Sequence, residues 1–389
     1  MSPLDALTRE AAALANGAPA EAGVHAVEHD AARMLQICNA CRYCEGYCAV
    51  FPAMTRRLEF AHADVHYLAN LCHGCGACLH ACQYAPPHEF GVNLPRAMAR
   101  VRTRTYIDHA WPAALGALYQ RNGLVLSLVM VAALALFLWL GAASQGHAWQ
   151  APPNGDFYRV FPHGLMVSLF APVFGFALLA LGVGVRRYYQ GLHAGALPRG
   201  AAREAAHDAL MLTYLDGGHG EGCNEADDAY TLARRRWHHF TFYGFMLCFA
   251  ATCVATLYHY ALNQPAPYGW TTWPKLLGVS GGLALAIGTA GLWRLHRVRH
   301  PLHREPAQTG MDRGFIALLF AIAVSGLLLA AARQTAAMPL LLSLHLATVM
   351  ALFLTMPYSK FAHGVYRAAA LLKWAIEKRQ PARTDLGEG

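Results

Sequence analysis

From residue 124 to residue 143 the chain reads LVLSLVMVAALALFLWLGAA, twenty positions without a charge. At a rise of 1.5 Å per residue, such a run matches the roughly 30 Å hydrocarbon core of a bilayer. Comparable runs recur at about 163–185, 239–262, 275–293, 314–332 and 340–361, with polar segments between them. The pattern predicts six membrane-spanning helices, the second and last kinked at Pro172 and Pro357. The first 110 residues contain no run of that length.

The basic residues between the runs give an orientation. Arg96, Arg100, Arg102, Arg104 and Arg121 precede the first span, seven arginines fall in the 186–237 connection, and five fall in 294–313. Arg367, Lys373, Lys378 and Arg379 follow the last span, whereas the other connections hold only Arg159, Lys275 and Arg333. Both termini are therefore expected in the cytoplasm of a bacterial inner membrane. The start MSPLDALTRE has no apolar segment of a secretory signal and no arginine pair of a twin-arginine signal.

Composition agrees: 56% of the 389 residues are hydrophobic and 14% charged, and the mean hydropathy is +0.26. These values exclude a disordered chain and an ordinary soluble protein. The net charge of +8 sits beside apolar runs, as membrane anchoring requires, so no nucleic-acid partner is implied.

Eight of the eleven cysteines lie between residues 38 and 82. Cys38, Cys41, Cys44 and Cys48 follow C-x2-C-x2-C-x3-C, and Cys72, Cys75, Cys78 and Cys82 repeat that spacing. In a reducing cytoplasm such thiols ligate metal rather than form disulfides. The doubled spacing is that of a two-cluster ferredoxin, in which the fourth cysteine of each run serves the other cluster. One [4Fe-4S] cluster is thus expected on Cys38, Cys41, Cys44 and Cys82, and the other on Cys72, Cys75, Cys78 and Cys48. Paired structural zincs, the rival, use two CxxC pairs across a longer spacer. Ala49 and Gln83 stand where proline usually follows the fourth cysteine. Leu58, Ala61, Val65 and Leu68 recur at helical spacing between the motifs and predict an α-helical module.

The segments CNACRYCEGYCAVFPAM (38–54), YLANLCHGCGACLHACQYAPPHEFGVNLP (67–95), LTYLDGGHGEGC (212–223) and RRRWHHFTFYGF (234–245) closely resemble the tricarballylate- and citrate-utilisation B family, a likeness running from about residue 33 to 370. The resemblance implies a membrane electron-transfer oxidoreductase subunit that reoxidises the reduced FAD of a partner dehydrogenase, such as a tricarballylate dehydrogenase, and passes the electrons to the membrane quinone. A related fused protein of cobalamin biosynthesis joins a similar module to a flavoprotein and carries haem, which leaves a cobalamin-biosynthesis flavoprotein as an alternative partner. The chain has no strand-preceded GxGxxG and no P-loop, so the flavin is expected on the partner. A tricarboxylate transporter fits less well, because the spans hold almost no cations to bind a trianion.

Histidine within apolar spans usually ligates, pairs or lines a cavity. His238, His239 and His363 fall near the cytoplasmic ends of the third and sixth runs, His259 and His345 near the outer ends, and His163 opens the second. His345 and His363 are 18 residues apart, five turns on one helix face; His238 and His259 are about 60° from alignment, and His239 faces roughly 160° away from His259. One or two b-type haems clamped by His238, His259, His345 and His363 are expected, with His239 and His163 as alternates. Gly217, Gly218, Gly220 and Gly222 before Cys223 read as a plain cytoplasmic turn, and Cys248 and Cys253 as packing residues.

The expected fold is all-α: an N-terminal tail or helix (1–32), a two-[4Fe-4S] ferredoxin-like domain (33–110), a six-helix transmembrane cytochrome-b-like bundle (111–370, with cytoplasmic loop 186–237) and a C-terminal tail (371–389). The edge of the module at Arg42, Tyr43 and 88–93 is the expected docking surface for the flavoprotein.

Overall fold

The computed structural model describes residues 21–381, so the outer parts of the two expected tails, 1–20 and 382–389, lie outside the described residues. The chain is all-α as expected. The N-terminal module contains α1 (Glu21–Cys41), α2 (Val50–Met54), α3 (His62–Leu71), α4 (Ala77–His80) and α5 (Leu94–Asp108), and α6 (Ala113–Arg121) leads to the membrane. The spans are α7 (Gly123–Ser144), α8 (His163–Gly191), α10 (Ala233–Tyr260), α11 (Trp273–Val298), α12 (Pro306–Ala331) and α13 (Met338–Thr355). Helices α9 (Ala201–Met211) and α14 (Ala362–Glu377) complete the set, and two short strands, Cys223–Asn224 and Tyr230–Thr231, pair antiparallel.

Six helices among the described residues are long and apolar enough to cross a membrane. Their outward faces carry Val129, Leu136 and Phe137, the last 71% exposed, a surface that only lipid covers without penalty. The protein is a multi-pass membrane protein. Helices α10 and α11 approach closely because glycines line their crossing. A Cβ at Gly244 would stand 2.5 Å from the Leu285 nitrogen, and one at Gly288 2.5 Å from the Thr241 nitrogen, so backbone contact there admits no side chain.

Helix α8 reaches beyond the apolar run that predicted it. The 29 residues of α8 span about 44 Å, and its last turns enter the module, where Tyr188 is buried and its hydroxyl donates to the His66 carbonyl at 3.4 Å. The sixth span is shorter than expected: α13 stops at Thr355, because Pro357 offers no N–H for the ladder. A turn over 356–361 follows, held by Ser359 N–H donating to the Thr355 carbonyl at 2.8 Å. His363 therefore lies on α14, not on the helix that carries His345, which overturns the five-turn alignment of the two.

Residues 371–377, expected in a tail, are the last turns of α14, and Leu371, Trp374 and Ile376 are buried. The end of α14 is tied to the module by Glu377, which pairs with Arg57 and accepts from the Tyr67 hydroxyl at 3.0 Å. The module's own core is Leu35, Met54, Tyr67, Leu68 and Met98, all almost fully buried.

Candidate functional site

Each cysteine run starts where a helix ends. Helix α1 carries Cys38 and Cys41 in its last turn, and α3 stops one residue before Cys72. The chain folds so that Cys38, Cys41, Cys44 and Cys82 line one cavity of about 250 Å³, flanked by Tyr43, Phe51 and Tyr84. Cys48, Cys72, Cys75 and Cys78 line a second, and Cys78 also reaches the first. The fourth cysteine of each run thus stands with the other run's first three. Four thiols around one space are the donor set of an iron-sulfur cube.

Burial, reinforced by the neighbouring cysteine sulfurs, pushes the Cys38 and Cys44 thiols up to about 12. Metal must therefore displace protons to bind. Cys75 differs. The thiol of Cys223 packs against it in a buried pocket with Leu212 and Leu215, and hydrogen bonding from Cys223 holds Cys75 below the ordinary thiol range, with Arg234 and Arg299 adding to the effect. The Leu215 carbonyl, 3.5 Å from Cys223 Sγ, is a second acceptor within reach of the same S–H.

The glycine segment before Cys223 is more than the plain turn expected of it. A Cβ on Gly218 would fall 1.5 Å from the Tyr47 carbonyl oxygen and 2.8 Å from the Cys48 nitrogen, so the loop lies directly on the backbone that carries a cysteine of the second quartet. Gly218 adopts φ +85°, a conformation glycine takes without strain. The sequence had signalled the loop through its glycine density but held nothing that linked Cys223 to Cys75.

Behind the second quartet a cavity of about 500 Å³ opens between the membrane helices. His73, next in sequence to Cys72, lines both spaces. Three guanidinium groups grip the same loop: Arg102 Nη1 and Arg367 Nη2 each donate to the Cys72 carbonyl at 2.8 Å, and Arg299 Nη2 donates to the Gly74 carbonyl at 2.6 Å. Burial and repulsion from neighbouring arginines, Arg234 and Arg102 for Arg299 and Arg102 for Arg367, lower both to about 10, so both stay charged at neutral pH. Lys360 is paired with Asp312 at 2.9 Å and Arg234 with Glu225. The Arg299 Nε atom is buried with no hydrogen-bond partner among the described residues.

His238 and His363 face each other in this cavity, ring centres 6.0 Å apart and planes at 76°. Two imidazoles on opposite sides of one metal, each bonded at about 2 Å, would have ring centres roughly 6 Å apart. His363 Nδ1 bonds the Lys360 carbonyl, which leaves Nε2 as its lone-pair nitrogen, and burial next to Arg367 holds this imidazole well below its ordinary value. The His238 Nδ1 atom is buried without a partner among the described residues. An unpartnered imidazole nitrogen and an unpartnered guanidinium nitrogen in one apolar cavity suit a haem, with its two axial positions and its acidic propionates.

The outer histidines are arranged otherwise. The His259 ring stacks on His163 at 4.0 Å with planes 12° apart, so the nitrogens of this pair do not point at a common centre. His345 Nδ1 lies 3.1 Å from Ser325 Oγ on α12, and the expected His259–His345 clamp is not formed. The His239 ring lies against Tyr243, outside the lining of the cavity that holds His238.

A helical module with two cysteine quartets, joined to six spans of which three line a histidine-bearing cavity, defines a multi-pass membrane protein with a ferredoxin-like N-terminal domain. The chain belongs to the citrate utilization protein B family. The family model "Citrate utilization protein B" matches residues 117–384, and the "Citrate utilization protein B Fer4-like domain" matches residues 31–108. The citrate utilization protein B of Escherichia coli is 58% identical over 354 residues, which cover 91% of this chain and 93% of that protein. No solved structure matches.

Proposed function

We propose that this chain is the membrane electron-transfer subunit of a citrate- or tricarballylate-oxidising system, taking electrons from the reduced FAD of a partner dehydrogenase and delivering them to the quinone of a bacterial inner membrane with both of its own termini cytoplasmic. The observation that carries the reading is His73. It follows Cys72 directly and lines both the second cysteine cavity and the cavity of His238 and His363. Two [4Fe-4S] clusters on the two quartets and one haem b between His238 and His363 would supply one-electron carriers between a two-electron flavin and a two-electron quinone.

The chain's residues position these carriers. Cys38, Cys41, Cys44 and Cys82 would hold one cluster and Cys72, Cys75, Cys78 and Cys48 the other. His238 and His363 would hold the haem, and Arg299 would offer a positive charge to its carboxylates. Arg102 of α5, Arg299 beyond the end of α11 and Arg367 of α14 hold the Cys72–Gly74 backbone, keeping the second quartet beside the cavity of His238 and His363. Tyr43, 68% exposed beside the first quartet, together with Arg42 and 88–93 forms the edge for the flavoprotein.

Anaerobic purification in detergent tests the reading. It expects about eight irons and eight acid-labile sulfides per chain, one haem by pyridine haemochrome, and split b-type α and β bands after dithionite. A chain with neither iron nor visible absorbance overturns it. Protease added to right-side-out spheroplasts should leave the first 100 residues intact; their removal would overturn the orientation.

A further inference from the structure

Helices α1 and α3 meet at Glu28, His62 and His66, away from the cysteine and haem cavities. His62 and His66 are four residues apart and share one helix face, with ring centres 4.2 Å apart. Glu28 Oε1 lies 3.4 Å from His66 Nε2 and 3.9 Å from His62 Nε2. One ligand atom from each of the three fits within a 4.8 Å span. Glu28 and His66 are only 5% and 2% exposed, yet both Glu28 carboxylate oxygens and His66 Nε2 form no hydrogen bond among the described residues. A buried carboxylate without donors is costly, and such groups are rare in folded proteins.

The neighbouring hydrogen bonds are compatible with a His66 protonated on Nδ1. Thr105 Oγ1 donates to the Val101 carbonyl at 3.1 Å, so toward Asn70 Nδ2 at 3.1 Å and His66 Nδ1 at 2.8 Å it acts as acceptor. In the tautomer in which His66 donates from Nδ1 to Thr105, Nε2 turns its lone pair toward the Glu28 carboxylate. In that tautomer two electron-rich atoms face each other at 3.4 Å in a buried site, an arrangement that a cation between them satisfies. Neighbouring ligands of a tetrahedral zinc bound at 2.0–2.2 Å stand roughly 3.3 Å apart, close to the 3.4 and 3.9 Å found here. Thr105 supplies the orienting outer hydrogen bond that metal-ligating histidines usually have.

We propose that Glu28, His62 and His66 form a binding site for a divalent transition metal of the zinc type, with two imidazoles, one carboxylate and a fourth position open on the exposed His62 side. Helix α1 runs from Glu28 to Cys38, and α3 runs from His66 to the residue before Cys72. The ion would clamp together the two helices that present the two cysteine runs, a structural role independent of what those cysteines hold.

The test is metal analysis of the full-length purified chain with zinc X-ray absorption. One zinc per chain is expected, with a nitrogen and oxygen first shell and no sulfur. His62→Ala, an exposed change, should reduce zinc at least tenfold while the iron content stays the same, and Glu28→Gln should do likewise. Equilibrium zinc binding to the folded wild-type chain, read by competition with a chromophoric chelator, gives a measure that needs no variant. A sulfur shell, undiminished zinc in His62→Ala, or no zinc retained by the wild type after incubation with a slight excess would each overturn the site and leave Glu28 and His66 as a plain ion pair.

Discussion

Arg367 Nη2 donates to the Cys72 carbonyl across 2.8 Å, joining two residues 295 positions apart in the chain. The bond ties the last helix to the first cysteine of the second run, and Arg102 shares the same acceptor from the module side. Hydrogen bonds from charged donors contribute about 1.5–3 kcal/mol. Arg367→Gln should lower the melting temperature of the detergent-solubilised protein by several degrees with the iron content unchanged at 4 °C. Unaltered thermal unfolding would remove the bond from the account of how module and membrane domain are joined.

The facing rings of His238 and His363 make a matched pair of predictions. His238→Ala and His363→Ala should each abolish the haem signal in a pyridine haemochrome assay and leave acid-labile sulfide at the wild-type level. His345→Ala should keep its haem, because that ring is engaged with Ser325 at 3.1 Å. Haem loss in His345→Ala alone would require a different pair of ligands.

Cys223 gives a third test through a potential rather than a loss. Hydrogen bonds to cluster sulfurs raise reduction potentials, and one such bond of about 1 kcal/mol corresponds to ~40 mV for one electron. Cys223→Ala should retain all its iron and lower the potential of one cluster, the one bound by Cys75, by that order in an EPR-monitored redox titration. Loss of iron would mean that Cys223 is itself a ligand.

Removing the iron should expose a pH dependence. Cys38 and Cys44 stand at about 12 in the folded chain against an ordinary 9.0, so the folded apoprotein holds protons that the unfolded chain gives up. Its stability is fully present below about pH 9 and declines as pH rises from there toward about 12. Circular dichroism melts of the iron-free protein should fall over that range, while the iron-loaded protein, whose thiolates are already deprotonated, should change less.

The crossing of α10 and α11 has no room for a methyl group. Gly288→Ala would place a Cβ 2.5 Å from the Thr241 nitrogen, and the overpacking should cost about 1–3 kcal/mol. Because His238 is carried by α10, the displacement should also reduce haem content, whereas Gly141→Ala, with open space around it, should leave both stability and haem unchanged. Equal behaviour of the two variants would argue against close backbone contact at this crossing.

The sequence by itself determined what depends on neighbours along the chain. Apolar runs of bilayer length marked the six spans, since every backbone polar group must be satisfied inside the helix that crosses. The doubled cysteine spacing marked two four-thiol sites, since three of the four thiols at each site come from one short run of the chain. Histidine partners were not legible in this way. A helical register read through Pro357 placed His345 and His363 on one face, but the chain breaks at 356–361 and sends His363 to His238 on α10 and leaves His345 with Ser325. The stacking of His163 on His259, the three arginines on the Cys72–Gly74 loop, Cys223 against Cys75, and Glu28 between His62 and His66 all join residues from separate helices or loops. Only tertiary packing decided those contacts, because periodicity fixes which face a residue occupies and not which other element that face will meet.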